Sequence, residues 1–469
     1  MVAMARCAQT RDRLPDCAWC VEGRRSTQRK TVFGTKTKRK VVHDDHVDNY
    51  KCRFVAKGFH QIKGIHYQES SRPTLTQSSI QMALAVMALL DWEGRQLDVE
   101  MAFLEADITE ELYVELSDGY RNSPNQVGRL QKATYGLMHA GLLWSKKFGG
   151  ELIAKGFERS QADPCVFRRK HLRKVVVIIV VYVDDLLVLS ETKQDEHQAL
   201  EDLRSSFPIK DIGEISYYLG CHITRDRTRT VMFDQQRYAQ TVTERFEIRK
   251  TSVIPVPTGK APLPKADGPQ NDAEIAEIRG IPYREAVGAP MWVANMIRPD
   301  LAYTAHTLAK FGDKPGPEHW KAVMKVLQYL KGTASLGVTY GGATEDMKLS
   351  AWMNADHASC PDTRRSVSGG AVMLGGGAIS WFSRAQKITA TATSESKYVA
   401  LAEIVNDAIK IGENRFSSRR TRHIDVKHHM VRDAVDGGII RVKYVKSREQ
   451  HADVLTKMLS RLKSTRDSC

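Results

Sequence analysis

Cysteine is scarce in this sequence, which has 8 such residues at irregular spacings among 469. Because no secretory leader is visible either, we expect reduced thiols in an intracellular protein, in cytoplasm or nucleus, rather than a disulfide framework. Cys17 and Cys20 form one CxxC pair, but no second pair follows at the spacing of zinc ligands. The sequence therefore predicts no zinc site.

Long apolar runs are also missing. The longest uninterrupted ones, residues 82–90 and 175–183, are well short of the roughly 20 residues that a membrane-spanning helix needs. We therefore expect no membrane partner. No internal repeat is visible, and low complexity is limited to a basic arm and a proline-rich segment.

Acidic residues are fewer than basic ones. The chain has 55 Asp and Glu against 70 Lys and Arg, which gives a formal net charge of +15 and favours nucleic acid as a partner. Part of the excess lies between Gly23 and His43, where no acidic residue interrupts the basic ones: Arg24, Arg25, Arg29, Lys30, Lys36, Lys38, Arg39 and Lys40. We interpret residues 1–49 as a basic arm with little fixed structure.

Composition and periodicity divide the rest of the chain into three regions. Helical segments mix with β-rich runs over residues 50–257, which predicts one α+β domain. Residues 258–345 begin with a linker rich in proline and glycine and continue as a helical connection region, including a predicted helix over 319–331. Residues 346–462 combine a glycine turn at 375–377 with a helical pattern over 394–409, which is typical of a small α/β unit.

Two carboxylates, Asp184 and Asp185, interrupt an otherwise apolar run over residues 175–189. This pattern predicts a β-hairpin with an acidic tip. Adjacent carboxylates among buried side chains repel each other and are desolvated, so either they lie in solvent at a turn or a cation neutralises them. The pattern alone leaves both alternatives open, since Asp also favours turns for its own backbone hydrogen bonds.

A third carboxylate, Asp98, lies in residues 97–104, which look like a strand entering a helix. Nucleotidyl transfer needs carboxylates close enough to bind two Mg²⁺ ions, one for the attacking hydroxyl and one for the pyrophosphate leaving group. Together with Asp184 and Asp185, Asp98 supplies the residue types for such a site.

The order of these motifs resembles the Ty1/copia-type retrotransposon polyproteins. The motif Tyr182-Val183-Asp184-Asp185 is similar to the family's YVDD box, and residues 97–104 look like its first-aspartate strand. Further similar segments open the polymerase, follow the hairpin and form the connector: residues 51–59, 64–67, 211–220, 298–303 and 329–333. The resemblance covers about residues 50–461.

The resemblance implies an α+β fold in which a reverse transcriptase domain with palm, fingers and thumb precedes a connector and an α/β ribonuclease H-like domain. It implies an RNA-directed DNA polymerase that uses Mg²⁺, deoxynucleoside triphosphates and an RNA or DNA template with its primer. Asp98, Asp184 and Asp185 would bind the metal ions.

The resemblance also implies residues that contact the substrates. Phe103 would screen the 2′-hydroxyl of the incoming nucleotide, while Arg53 and Lys57 would offset the charge of its triphosphate. The other residues implied to line the nucleotide site are Tyr135, Gly136 and Tyr182.

Residues 130–144 resemble the family's template and nucleotide platform but depart from it. The usual Lys, Gln, Pro and Arg are replaced by Met138, His139, Gly141 and Leu142, which removes two cations and an amide from a surface that faces nucleic acid or nucleotide. Another departure is Arg72-Pro73-Thr74, where a short apolar pair is usual.

The ribonuclease H-like region departs further. That enzyme class needs four carboxylates around two metal ions. Asn354 stands where the first Asp is expected, with Asp356 nearby, and Lys397 replaces the catalytic Glu unless Glu395 is aligned there. The segment for the third carboxylate is deleted, and Asp453 alone matches. An amide is a poor metal ligand and a lysine repels a cation, so we expect no ribonuclease H activity.

Two functions stay open from the sequence. One is a working polymerase with an inactive ribonuclease H, which the intact aspartates favour. The other is a catalytically dead relic that at most binds nucleic acid, which the damaged platform and ribonuclease site favour. Both predict salt-sensitive, sequence-tolerant binding, because a basic protein of this kind mainly contacts the phosphate backbone.

Overall fold

A computed structural model describes residues 32–33, 35–40, 51–116, 127–226, 228–248, 264, 268–269, 271–342, 347–413, 431–432, 435–447 and 449–457. The pair Cys17 and Cys20 lies outside these residues, as does most of the proline-rich linker. Within the described part, every helix is too short or too polar to cross a bilayer.

The expectation of little fixed structure in residues 1–49 does not hold for part of this arm. Strands β1 (Val32–Phe33) and β2 (Thr35–Lys40) lie in it, and β2 pairs antiparallel with β3 (Lys51–Ala56). The β2 sequence consists only of Thr, Lys and Arg and has no apolar face that would reveal a strand. Its order comes from backbone hydrogen bonds to β3, a partner that composition cannot show.

The following segment, through residue 214, contains the central sheet and its helices. The elements in chain order are α1 (Gln77–Leu90), β4 (Glu93–Val99), β5 (Tyr113–Glu115), β6 (Val127–Arg129), α2 (Ala140–Ala154), β7 (Glu158–Arg159), β8 (Val166–His171), β9 (Lys174–Tyr182), β10 (Asp185–Ser190), α3 (Lys193–Ser206) and β11 (Ile209–Glu214). The sheet is antiparallel with the strand order β11-β4-β10-β9-β8-β7. The predicted hairpin is therefore present as β9 and β10, in the middle of the sheet.

The central sheet is buried on both faces, which explains the uninterrupted apolar run of the hairpin. In β10, Leu187 and Leu189 pack into the hydrophobic cluster that contains α1, whereas Leu186 and Val188 pack into the cluster on the α2 and α3 side. Successive side chains of a strand point to opposite faces. A strand with apolar neighbours on both faces shows no polar alternation, and only its ends can carry charge.

A second sheet and a group of helices follow the central sheet. Their elements are β12 (Tyr217–Tyr218), β13 (Cys221–Arg225), β14 (Val231–Asp234), α4 (Gln236–Arg245), α5 (Asp272–Ile278), α6 (Tyr283–Met296), α7 (Pro299–Ala309), α8 (Pro317–Gly332) and β15 (Val338–Tyr340). The strand order is β12-β13-β14-β15, so a strand beyond the linker completes a sheet begun before it. The helix predicted over 319–331 is confirmed as α8.

A buried ion pair joins α7 to the end of α8. Arg298, only 2% exposed, donates to both carboxylate oxygens of Asp300 at 2.9 and 2.7 Å and to the backbone oxygen of Thr333 at 2.8 Å. The Tyr329 hydroxyl donates to Asp300 at 2.8 Å. Burial by itself would raise the pKa of Asp300, but the guanidinium beside it holds that pKa below its usual value.

The third region is a three-stranded antiparallel sheet with a long helix. It consists of β16 (Ser350–Asp356), β17 (Val367–Leu374), β18 (Gly377–Ala385), α9 (Thr393–Glu413) and a 3-10 helix at His451–Leu455. Gly375 and Gly376 connect β17 to β18 with φ of 59° and 83°, which suits a tight hairpin turn that favours glycine. The predicted glycine turn and the predicted helix over 394–409 are both confirmed.

The third region packs directly onto the rest of the molecule. Leu84 of α1, Leu327 of α8 and Val372 of β17 belong to one buried hydrophobic cluster. The indole nitrogen of Trp381 also donates to the backbone oxygen of Ala294 in α6 at 2.8 Å. The described regions therefore share a core rather than forming separate globules.

Candidate active site

Strand register places the three predicted aspartates at one end of the central sheet. Asp98 in β4 lies directly opposite Asp185 in β10, and Asp185 is in turn paired with Tyr182 at the end of β9. The backbone nitrogen of Val99 donates to the backbone oxygen of Asp184 at 2.8 Å, which ties β4 to the turn. Asp98 and Asp185, which are 87 positions apart in sequence, thus become neighbours through backbone pairing.

Val183 and Asp184 form the two-residue turn between β9 and β10, which we call the carboxylate turn. Val183 has a φ of 61°, a left-handed conformation that β-branched residues rarely adopt. The indole nitrogen of Trp144 donates to the backbone oxygen of Val183 at 2.7 Å. Because Trp144 is buried in the α2 side of the core, this bond fixes the turn to a rigid element. The sequence predicts no such role for Trp144, although this residue ends the segment 130–144 that resembles the family's platform.

The carboxylates lie in an unfavourable electrostatic environment. Burial, followed by the negative charges of Asp184 and Asp98, raises the pKa of Asp185 to about 6. The fully buried Tyr218 lies behind this residue, with its hydroxyl 3.5 Å from the backbone oxygen of Asp185. A proton or a cation would relieve the repulsion between the carboxylates.

The aspartates are neighbours but do not form a closed cage. Among the residues that the structure describes, no three His, Cys, Asp or Glu side chains are gathered at metal-ligand distances. Carboxylate oxygens are nevertheless the ligands that Mg²⁺ prefers, and it commonly keeps several waters of its own. The donor set therefore suits Mg²⁺, provided that the aspartate side chains rotate towards one another.

An aromatic pair lies beside the strand that carries Asp98. After β4, Met101 adopts a left-handed φ of 57°, and the helix predicted to follow the strand is a short 3-10 helix at Ala102–Glu105. Phe103 in this turn packs edge-to-face against Tyr135, with ring centroids 4.8 Å apart. Tyr182 is 38% exposed at the end of β9. Phe103, which is predicted to screen the 2′-hydroxyl of the nucleotide, is thus held in place by contact with the Tyr135 ring.

Two glycines allow β3 and the residues that follow it to pack closely against the platform segment, residues 130–144. Ala56 at the end of β3 donates its backbone nitrogen to the Tyr135 oxygen at 2.9 Å. Gly136 has a φ of 93°, and a Cβ there would lie 2.1 Å from the Ala56 oxygen. A Cβ at Gly58 would lie 1.9 Å from the Gly136 oxygen. Lys57, between these contacts, is therefore held beside the platform. Arg53 belongs to β3, but its side chain lies outside the described part.

His139 was noted in the sequence only as a lost amide, yet it is one of the more constrained residues of the platform. Its side chain is 2% exposed and stacks on Tyr67 with ring centroids 5.9 Å apart. Burial lowers the pKa of His139, although Glu110, 3.6 Å from its Nε2 atom, acts in the opposite direction. We therefore expect a neutral imidazole at neutral pH.

The residues that the sequence predicts for a degenerate ribonuclease H site are only partly brought together. Asn354 and Asp356 lie on β16, and the Asn354 amide donates to Asp453 at 2.5 Å. The Lys457 ammonium lies 3.4 Å from the other oxygen of Asp453, which is 3% exposed. Burial raises the pKa of Asp356.

The two candidates for the catalytic Glu position lie at the start of α9. Glu395 accepts hydrogen bonds from the backbone nitrogen and the hydroxyl of Thr391, at 2.6 and 2.8 Å. Lys397 is exposed. The region after residue 413, where the third carboxylate was expected, lies outside the described residues until residue 431.

Comparison with known proteins gives one family match. The family described as "Reverse transcriptase (RNA-dependent DNA polymerase)" matches residues 20–260, just over half of the chain. This range contains all three aspartates of the carboxylate cluster and every residue expected to contact the nucleotide.

Several retrotransposon proteins are similar over most of the chain. The Retrovirus-related Pol polyprotein from transposon TNT 1-94 of Nicotiana tabacum is 34% identical over 94% of this chain and 35% of its own length. The polyprotein from transposon RE1 of Arabidopsis thaliana is 31% identical over 90% of this chain and 30% of its own. A putative transposon Ty5-1 protein of Saccharomyces cerevisiae is 28% identical over 66% of this chain and 99% of its own. The chain thus spans about a third of the plant polyproteins.

Proposed function

Because the chain belongs to the reverse transcriptase family of Ty1/copia-type retrotransposon polyproteins, we propose that it is an RNA-directed DNA polymerase. The observation that carries this proposal is the convergence of Asp98, Asp184 and Asp185 at one end of the central sheet. The substrates would be deoxynucleoside triphosphates and a primer on an RNA or DNA template. The domain assignment follows, with polymerase residues 50–257, connection residues 258–345 and ribonuclease H-like residues 346–462.

The three aspartates would hold two Mg²⁺ ions. The bound ions would activate the primer hydroxyl for attack and stabilise the pyrophosphate leaving group. The protein contributes position: Asp98 and Asp185 are fixed by strand pairing, and Asp184 by the carboxylate turn with its bonds to Val99 and Trp144. The raised pKa of Asp185 supports a cation at this site, since burial and the negative charges of Asp184 and Asp98 all disfavour its ionised form.

The residues around the aspartates would bind and select the nucleotide. Lys57 and Arg53 would offset the triphosphate charge from the β3 side. Phe103, supported by Tyr135, would present its ring to the sugar and exclude a 2′-hydroxyl by contact alone. Tyr182 would contribute an exposed aromatic surface, and Gly136 would allow the close approach of β3 to the platform.

In the third region we propose that ribonuclease H activity is absent. Asp453 is already occupied by the Asn354 amide and the Lys457 ammonium, so its charge is offset without a metal ion. Glu395 is engaged with Thr391 at the start of α9, and Lys397 would repel a cation. The region would therefore serve as a packed structural unit.

A second candidate function is a catalytically dead relic that at most binds nucleic acid. The observation that favours it is the platform itself: Leu142 is buried in the core rather than facing a ligand, and the exposed position at Met138 carries no charge. The net charge of +15 would still support binding to phosphate backbones.

Primer extension separates the two candidates. The purified chain would be given an RNA template with an annealed primer, deoxynucleotides and Mg²⁺, beside an Asp184→Asn, Asp185→Asn variant. Extension by the unmodified chain that is lost in the variant supports the polymerase and its metal site. Duplex binding by both proteins without extension by either would identify the relic. Cleavage of the RNA strand in a preformed hybrid, measured in parallel, would contradict the proposed loss of ribonuclease H activity.

A further inference from the structure

Arg72 lies beside the predicted polymerase site, and the sequence marks it only as a departure from the family pattern. Its exposed side chain lines a small cavity of about 40 Å³ together with Phe103, Gly141, Trp144 and Val183. The cavity thus lies between the predicted sugar screen and the carboxylate turn. Arg72 therefore borders the predicted site on the side of Phe103 and Val183.

The position of Arg72 depends on a second departure, Gly141. A Cβ atom at Gly141 would lie 2.4 Å from Cδ of Arg72 and 3.0 Å from its Nη1. A side chain at Gly141 would therefore require the Arg72 side chain to move from this position. Two substitutions that look unrelated in the sequence, 69 positions apart, therefore form one structural unit.

The positive charge of Arg72 is not neutralised locally. Among the residues that the structure describes, no carboxylate forms an ion pair with it. Arg159, which lines the same cavity, is instead engaged: it donates to the Ser145 backbone oxygen at 3.0 Å and lies over the Phe167 ring at 5.0 Å. Arg72 is thus the arginine of this cavity that is available for a ligand.

The helix next to Arg72 adds to the positive potential. Gly141 lies in the first turn of α2, which contains no acidic residue and has no side-chain hydrogen bond from its N-cap residue, His139. A helix N-terminus carries the equivalent of roughly half a positive charge. A guanidinium placed there is repelled, and an anion between the two would be attracted by both.

We propose that Arg72 binds a phosphate group of the polymerase substrates, in place of the cations that are missing at Met138 and Leu142. An arginine can bind a phosphate through two parallel hydrogen bonds, which compensates for the loss of more than one weaker contact. The phosphate belongs either to the incoming nucleotide or to the template-primer backbone. This inference rests on the proposed polymerase function for the identity of its ligand.

The test compares Arg72→Gln with Arg284→Gln, which removes the same charge from a surface ion pair with Asp313 far along the chain. Two affinities would be measured without turnover: that of a labelled primer-template over a salt series, and that of dTTP for the complex with a dideoxy-terminated primer. For Arg72→Gln we expect about a tenfold loss in one of them, the order of a hydrogen bond between charged groups. The affinity of Arg72→Lys should lie between those of Arg72→Gln and Arg284→Gln, because lysine keeps the charge but cannot form two parallel hydrogen bonds.

The two sources of phosphate give different results. If the ligand is the nucleotide, dTTP affinity falls and primer-template affinity does not. If the ligand is the backbone, primer-template affinity falls and its salt dependence decreases by about one charge. Unchanged affinities for both ligands, relative to Arg284→Gln, would overturn the proposal.

A double-mutant cycle tests the dependence on Gly141. Gly141→Ala should displace the arginine and reproduce the loss seen in Arg72→Gln, whereas the same change added to Arg72→Gln should have little further effect. Additive losses would contradict the coupling. Because binding is measured without extension, the outcome is independent of catalysis: a chain that fails to extend primers but shows the Arg72 effect leaves this inference intact while the polymerase proposal fails.

Discussion

The carboxylate cluster should make the metal-free protein less stable at neutral pH than at mildly acidic pH. Replacing Asp185 by Asn removes one of the three charges while keeping the size of the side chain. In the folded protein the pKa of Asp185 is about 6, against 3.8 for an ordinary aspartate. The folded state therefore binds a proton more tightly than the unfolded chain over this interval. The free energy of unfolding falls as pH rises from about 4 to 6 and stays reduced above it.

The size of this change in unfolding free energy follows from the raised pKa of Asp185. Each pKa unit corresponds to about 1.4 kcal/mol, so a shift of roughly two units sets an upper limit of about 3 kcal/mol. Partial exposure and solvent screening reduce this to about 1–2 kcal/mol. At pH 7.5 in EDTA, Asp185→Asn should accordingly be more stable than the unmodified chain by that amount. Near pH 4.5 the difference should largely disappear.

The prediction is tested by measuring the free energy of unfolding in urea at pH 4.5, 6.0 and 7.5, with and without Mg²⁺. The matched control is Asp313→Asn, whose side chain is 93% exposed and should change stability little at any of these pH values. Mg²⁺ should stabilise the unmodified chain at pH 7.5 and the Asp185→Asn variant less, because the ion offsets the same repulsion. An Asp185→Asn variant that is less stable at pH 7.5, or a difference that does not depend on pH, would refute the reasoning.

Three further changes test other parts of the structure. Trp144→Phe keeps an aromatic ring but removes the hydrogen bond to Val183. The free energy of unfolding, measured in urea, should therefore fall by about 1–2 kcal/mol. Primer extension should fall further than in a variant that is equally destabilised elsewhere. Arg298→Met should destabilise the chain by about 3–5 kcal/mol by leaving Asp300 buried and unpaired, and the double change with Asp300→Leu should recover much of this in the same assay. Asn354→Asp should lower the thermal midpoint at pH 7.5 in EDTA, with partial recovery in Mg²⁺ but no hydrolysis of hybrids; an unchanged midpoint would contradict the role assigned to its amide.

The elements that could be predicted from the sequence are those whose signal is local. The β9-β10 hairpin has a long apolar run with charge only at its turn, and α8 has an apolar stripe at helical spacing, so both were found. The strand β2 was missed because its Thr, Lys and Arg side chains carry no apolar signal. Its order depends on a partner strand that follows later in the chain.

The candidate site was predictable in its residue types but not in its geometry. Asp98, Asp184 and Asp185 are visible as carboxylates in apolar surroundings, yet only strand register shows that Asp98 and Asp185 are directly opposite. The contact between Arg72 and Gly141 had no sequence signal, since each residue looked like an isolated departure. Long-range steric fit of this kind depends on how the elements pack, which periodicity does not encode.

The shared core has a consequence for how such a chain can change over generations. Leu84, Leu327 and Val372 lie in one buried cluster, so removing the third region would expose apolar surface of the polymerase part to water. Substitutions at Asn354 and Lys397 leave that cluster untouched. The fold should therefore tolerate changes at Asn354 and Lys397, whereas truncating apolar residues of the cluster should destabilise both regions. Under the proposed loss of ribonuclease H activity, the third region would still be needed as a packing surface for the rest of the chain.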